Sequence, residues 1–294
     1  MQLVISRKMV MVLRRLAPRI CTFLLCVGDI CMACFFPRTW IFLVVVHTAV
    51  YMYLGHQSRI LEFSDDYRRR IMEFVVAPLG CEVIYDNIDG TEQDTAKIIS
   101  IHPHNLSCEL APVLHVALGT TDTRIVVHTL NHIVPVNRFL SRTIMGAVDS
   151  RYIDMYHAIT RQHKAIIVST GGVRELSLTG MHEDGCTFVV ARERKGIFRL
   201  AKETHTGIRV CLGIYGDGEC PTYPTTERII RRWLNRYVPQ WRIVSVAWLY
   251  VWGLVYGTRY VHWAVVGNVV HTEEEYICEL DRLCRKHDAN YLII

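Results

Sequence analysis

From about residue 80 onward, short apolar runs alternate with segments whose apolar positions recur at helical spacing. The runs are rich in Ile, Val and Phe and are bounded by polar or Gly-containing stretches, the pattern of buried strands. They predict strands over 97–101, 124–128, 165–169, 187–191, 208–215 and 261–266. The helix-spaced segments predict helices over 106–118, 136–147, 151–163, 194–206, 224–237 and 272–287. Such alternation implies an α/β domain, a mostly parallel sheet flanked by helices. Ser64 to Glu73 reads as a charged, helix-like connector ahead of it. We find no internal repeat and no low-complexity linker.

The N-terminal pattern differs. Residues 20–36 and 39–54 are two apolar runs split by Pro37-Arg38, and each falls short of the roughly 20 residues a spanning helix prefers. Asp29 interrupts the first. The pair reads as two short spans or a re-entrant hairpin, so residues 1–60 are expected to be a membrane anchor and 61–294 the α/β domain. Arg7, Lys8, Arg14, Arg15 and Arg19 precede the first run, and Arg59, Arg68, Arg69 and Arg70 follow the second. Basic flanks favour the cytosolic side, so both flanks are expected there. A signal peptide shares the basic start, but the second run and the lack of a small-x-small cleavage site argue against it. A third apolar run, 241–257, carries Trp241, Trp248, Tyr250, Trp252 and Tyr256. It reads as a buried or interface-facing segment rather than a span.

Composition narrows the classes further. The chain has 294 residues, enough for one large core, and is 51% hydrophobic, with the excess near the N-terminus. Its net charge of +5 is modest and its basic residues cluster around the anchor. That suits an anionic membrane surface and argues against nucleic acid as a partner. Eleven cysteines form no disulfide framework, and with cytosolic flanks they are expected to be reduced thiols. Cys31 and Cys34 have zinc-like spacing without a second ligand pair, so no metal is expected. Asn105-Leu106-Ser107 matches a glycosylation sequon, accidental in a cytosolic domain.

The chemistry centres on His102-Pro103-His104-Asn105, which follows the strand 97–101. Strand ends are where α/β folds place their chemistry. Pro103 fixes its own φ and biases His102 toward extended geometry. Glu109 comes five residues after His104. A carboxylate can orient an imidazole, and the imidazole can take a proton from an alcohol as it attacks a thioester. A structural or metal-binding His pair is the other reading of this segment alone. Gly171-Gly172-Val173-Arg174-Glu175 follows the strand 165–169. Paired glycines let a backbone turn tightly and approach a ligand. Their N–H groups suit a thioester oxyanion or a pantetheine phosphate. Arg174 adds a cation and Glu175 a carboxylate. The segment 192–207 is a basic amphipathic helix. Arg194 and Lys195, with Gly196 beside them, are candidates for the phosphates of coenzyme A, although most such charges are merely solvated.

In order along the chain, these blocks resemble the diacylglycerol acyltransferase 2 family, which includes monoacylglycerol and wax-ester acyltransferases. His102-Pro103-His104-Asn105 is similar to its HPHG block. The segment from Thr129-Leu130 through Pro135, Arg138 and Leu140 to Gly146 is similar to the family's next one. Gly171 to Ser177 resembles GGAAES. Arg194-Lys195-Gly196-Ile197 with Leu200, Ala201 and Gly207 resembles the RKGF…LA…GA segment. Gly216 to Glu219 resembles the FGENE turn, Val265-Val266-Gly267 the VVGKP block, and His271, Tyr276, Leu280 and Leu283 the terminal helix. The resemblance runs from about residue 97 to 288. Asn105 stands where the family has Gly, and Asn268-Val269 where it has Lys-Pro.

The resemblance implies a glycerolipid-acyltransferase-like fold at the endoplasmic reticulum membrane, with the domain facing the cytosol. It implies acyl transfer from acyl-CoA, as co-substrate, to diacylglycerol, giving triacylglycerol, with no cofactor. Homo-oligomerisation stays open. In that scheme His104 is the general base, Glu109 or Glu175 orients it, and His102 shares the role or shapes the turn. Gly171, Gly172, Arg174, Arg194, Lys195 and Gly196 contact acyl-CoA, and Asn105 contacts the acceptor. Monoacylglycerol, a fatty alcohol or a lysophospholipid are alternative acceptors. An inactive lipid-binding descendant is the reading from a different class.

Overall fold

A computed structural model describes residues 63–76, 80–86, 96–103, 110–118, 122–128, 139–172, 175, 187–189, 195–215, 261–289 and 291–293, together with Val46, Ala49, Val50, Tyr53, Ile229 and Trp233. In chain order, its elements begin with helix α1 (Asp65–Val76), strands β1 (Glu82–Tyr85) and β2 (Ala96–His102), helix α2 (Leu110–Ala117) and strand β3 (Thr123–Val127). A π-helical segment (Phe139–Ile144), strand β4 (Val148–Asp149), helix α3 (Tyr152–Thr160) and strand β5 (Ala165–Ser169) follow. The remainder is strand β6 (Thr187–Val189), helix α4 (Lys195–Glu203), strands β7 (Gly207–Tyr215) and β8 (Val261–Val270), helix α5 (Glu273–Lys286) and strand β9 (Tyr291–Ile293).

Seven strands form one sheet in the order β1-β8-β7-β2-β5-β3-β4. Every neighbouring pair is parallel except β7 with β8. The expected α/β architecture is therefore present as a mixed, mostly parallel sheet between helices.

The residues of β2 show how the faces are built. Ile98, Ser100 and His102 point one way, Ile99 and Ile101 the other, as strand alternation requires. Ile98 joins a core with Ile208, Val210 and Leu212 of β7, covered by Ala158 and Ile159 of α3, Leu200 of α4, and Tyr276, Leu280 and Leu283 of α5. Ile99 and Ile101 join a second core with Ile125, Ile167 and Val266, covered by Met72 of α1 and Leu110, Val113 and Leu114 of α2. Each fully buried aliphatic side chain stabilises the fold by about 1.5–3 kcal/mol. Against that gain, β2 commits two positions of one buried face to Ser100 and His102.

Several expectations are corrected. The segment Ser64 to Glu73 is helical as expected, but it is more than a connector, since its Met72 is buried in the domain core. The helix expected over 136–147 is, where described, the π-helical segment Phe139–Ile144. Its Thr143 carbonyl accepts from Arg68 Nε at 3.1 Å, and Gly146, with φ at 61°, ends it. The strand expected at 187–191 lies outside the main sheet, paired with β9 as a separate ribbon. Strand β8 reaches Val270, four residues beyond the expected end, because a bulge lets it follow all of β7. Strands β1, β4 and β9 are not predicted by the pattern, being two to four residues long.

Among the described residues no helix is long and apolar enough to cross a membrane. Of the apolar runs expected to form the hairpin, only Val46, Ala49, Val50 and Tyr53 are described, helical and exposed. The rest of both runs, and the run 241–257, lie outside the described residues.

Candidate active site

Three elements converge on one end of β2. His102 is the last residue of β2, and the register Ile101 to Ser169 sets it beside the end of the neighbouring strand β5. Thr170 follows β5 directly. From above that face, α5 lowers Tyr276 onto the pair. A capping box starts α5: Thr272 Oγ1 accepts from Glu275 N at 3.2 Å, and Glu275 Oε2 accepts from Thr272 N at 3.4 Å. Tyr276 comes one residue later, so the cap sets its phase toward the sheet.

His102, Ser100, Glu175 and Tyr276 are buried, and buried polar groups must find partners. They find one another. Nδ1 of His102 lies 2.9 Å from Glu175 Oε2 and 3.2 Å from Oε1. An ionised carboxylate only accepts, so Nδ1 carries the proton and donates. Nε2 is then the basic nitrogen. It lies 2.7 Å from the Tyr276 hydroxyl and 2.6 Å from Thr170 Oγ1. Ser100 Oγ bonds Thr170 Oγ1 at 3.0 Å and makes a short bond to the Tyr276 hydroxyl. Burial pushes the Tyr276 phenol well above its usual range, and the Glu175 charge adds to this, against the pull of its bonds to Ser100 and Thr170. Tyr276 therefore stays an O–H donor at all physiological pH.

The turn after β5 is shaped to deliver Glu175. Its backbone N–H donates to the Gly171 carbonyl at 3.3 Å, folding the side chain back over the turn. A Cβ on Gly171 would sit 1.3 Å from Glu175 Oε2. Glycine is required there for the carboxylate to reach His102. Gly172, at φ 54°, takes the left-handed backbone that glycine adopts without cost.

Of the predicted site residues, the structure brings His102 and Glu175 together and places Gly171 and Gly172 beside them. Gly171 is shown here making room for Glu175, a different use from the ligand contact expected of it. Lys195 and Gly196 open α4, with no atom within 4 Å of a Cβ built on Gly196. His104, Asn105, Glu109, Arg174 and Arg194 lie outside the described residues. Among the described residues no cluster of His, Cys, Asp or Glu is arranged to hold a metal.

Sequence reasoning missed the hydroxyls. Ser100 sits in a run read only as a strand, Thr170 falls between the strand 165–169 and the Gly171-Gly172 block, and Tyr276 was singled out only for its place in the terminal helix. A signal existed: Ser100 is the polar residue interrupting an otherwise apolar strand, two positions before His102 and so on the same face. Compared with family models, curated proteins and solved structures, the chain gives no match.

Proposed function

We propose that this protein transfers an acyl group from acyl-CoA to a lipid alcohol at a membrane surface, with His102 as the general base and Glu175 as its orienting carboxylate. The observation that carries this reading is the buried Glu175–His102 pair at the carboxyl end of a central parallel strand, its Nε2 turned toward hydroxyl groups. That arrangement supplies what acyl transfer from a thioester needs. The thioester is already activated, so the protein has to remove one proton from the attacking hydroxyl as the C–O bond forms. Glu175 fixes the Nδ1–H tautomer and stabilises the imidazolium that follows. Positioned proton transfer of this kind contributes about 10²- to 10⁴-fold in rate. Acyl-CoA as donor and diacylglycerol as acceptor rest on the sequence resemblance, as do the endoplasmic reticulum and the cytosolic orientation. In this proposal Arg174, Arg194 and Lys195 hold the coenzyme A phosphates, and Asn105 and Glu109 border the acceptor. His104 shapes the turn.

A specific observation favours a second reading. Both nitrogens of His102 already have partners, and its side chain has no exposure. A chain that kept the fold and lost the reaction would use the same network as a strut inside a lipid-binding protein. Purified full-length protein in detergent, given labelled acyl-CoA and a mixture of diacylglycerol, monoacylglycerol, fatty alcohol and lysophospholipid, separates the two. Labelled triacylglycerol or another labelled ester is expected. Intact acyl-CoA after prolonged incubation, with lipid still bound, assigns the strut.

A further inference from the structure

Glu175 and Thr170, from the turn after β5, and His102, from the end of β2, form an acid–imidazole–hydroxyl series: the carboxylate on Nδ1, the hydroxyl on Nε2 at 2.6 Å. We propose that Thr170 is a nucleophile which takes the acyl group as a covalent ester before the acceptor alcohol does. The proposal rests on the acyl-transfer reading above and adds a residue and an intermediate to it.

Four observations single out Thr170 among the hydroxyls around Nε2. Ser100 has no exposure and Tyr276 has 1%, whereas Thr170 has 6%. Ser100 makes no bond to His102; it touches Thr170 and Tyr276. Tyr276 is anchored in the core of α5, its ring edge-on to Phe198 at 5.4 Å, so its oxygen cannot advance toward a substrate without moving the helix. Thr170 stands at the strand end, where the backbone turns through Gly171 and Gly172. A hydroxyl at such a turn has the nearest approach to anything bound beyond the sheet's carboxyl edge. Ser100 and Tyr276, bonded to each other, then hold the far side of Thr170 Oγ1 and of Nε2 in place.

The steps balance without a further reactant. Thr170 Oγ1 attacks the thioester carbonyl as His102 Nε2 takes its proton. The tetrahedral adduct collapses, the C–S bond breaks, and the coenzyme A thiolate leaves with the proton from His102. The acceptor alcohol enters, gives its proton to Nε2 and attacks the Thr170 ester. Collapse returns the proton to Thr170 Oγ1 and releases the lipid ester. This predicts two half-reactions and ping-pong kinetics.

The test uses the full chain, labelled acyl-CoA and no acceptor, quenched in acid and digested for mass spectrometry. Neutral hydroxylamine first strips any thioester formed on the eleven cysteines, leaving oxygen esters. An acylated peptide bearing the modification on Thr170, discharged when an acceptor alcohol is added, is expected. Initial rates with varied acyl-CoA and acceptor should give parallel double-reciprocal lines. Thr170→Ser should keep the modification and turnover within about tenfold, while Thr170→Val should abolish both. Wild-type protein that turns over acyl-CoA with intersecting lines and no acyl-Thr170 overturns the nucleophile and leaves His102 as base on the acceptor itself. Wild-type protein inert toward acyl-CoA overturns the acyl-transfer reading and this one with it. If Thr170→Val fails to fold, the wild-type trapping and the kinetic pattern still decide.

Discussion

A carboxylate on one nitrogen of an imidazole fixes which nitrogen carries the proton and aims the other, provided the ring cannot turn away. At His102 the ring is held from both ends, by Glu175 on Nδ1 and by Tyr276 and Thr170 on Nε2. Glu175→Gln should therefore keep the fold and lose about 10²-fold or more in acyl transfer, read as initial rate against acyl-CoA. Gly171→Ala forces a methyl into the space of Glu175 Oε2. It should cost at least as much activity as Glu175→Gln and lower Tm as well, measured by thermal melting; a silent Gly171→Ala would mean the carboxylate does not occupy that position. Tyr276→Phe removes the phenolic oxygen shared by Ser100 and His102. It should destabilise the protein by about 1 kcal/mol in urea unfolding, the net worth of a lost hydrogen bond, because Thr170 still partners both Ser100 and Nε2. His102 and Glu175 were legible in the sequence because rare residue types followed apolar runs. Which carboxylate meets which imidazole was not. Glu109 is near in sequence, but the bond seen is to Glu175, 73 residues away, and only the register of β2 with β5 sets it.

Helix α5 is the element on which the site most depends, because it carries Tyr276 and closes one core. Its start is encoded locally: Thr272 and Glu275 make a reciprocal cap. The cap draws Glu275 below its usual carboxylate range through the backbone N–H groups of His271 and Thr272, against the desolvation that burial brings. Thr272→Ala should cost about 1 kcal/mol by denaturant unfolding and lower activity in parallel, because the first turn also orients Tyr276. Farther along α5, Glu279 accepts from the backbone N–H of Asn268 at 2.7 Å and pairs with Arg282. That N–H belongs to a bulge where β8 shifts register against β7. A Cβ on Gly267 would come within 2.6 Å of the Glu279 carboxylate, so the bulge needs glycine. The departure Asn268-Val269 thus falls on a structural joint between β8 and α5. Long elements with a repeated period, such as β7 and α5, were readable from the pattern. Strand β6 was readable too, within the run 187–191, but its partner β9 was not, since a strand of three residues has too few positions to show alternation and the two lie over a hundred residues apart.

At the scale of the whole molecule, charge clusters tie the sheet edges to the helices. Asp86 at the end of β1 is bonded by Arg282 at 2.9 Å and by Lys286 of α5. Asp65 of α1 joins Arg124 at 3.0 Å and Lys164 at 3.3 Å. Burial works to raise both carboxyl pKa values, but the neighbouring cations outweigh it and hold them below the usual 3.8. A folded-state pKa below the unfolded one adds stability that is fully present above about pH 3.8 and lost as pH falls through the lower, folded value. Urea unfolding between about pH 5 and pH 2 should show that loss, and Asp86→Asn should flatten the slope while lowering stability at neutral pH by about 1–3 kcal/mol. Cys211 and Cys284 are pushed up to about 12 by burial, so neither thiol is a nucleophile at neutral pH and both should stay unmodified by iodoacetamide in the folded state. The central claim concerns the sheet as a scaffold that holds one base at the end of β2. It is tested most directly by initial rates of acyl transfer for His102→Ala and His104→Ala, purified side by side with matched melting curves. The account predicts a loss of about 10²- to 10⁴-fold for His102→Ala and a smaller one for His104→Ala. Activity of folded His102→Ala within a few-fold of the parent would contradict it.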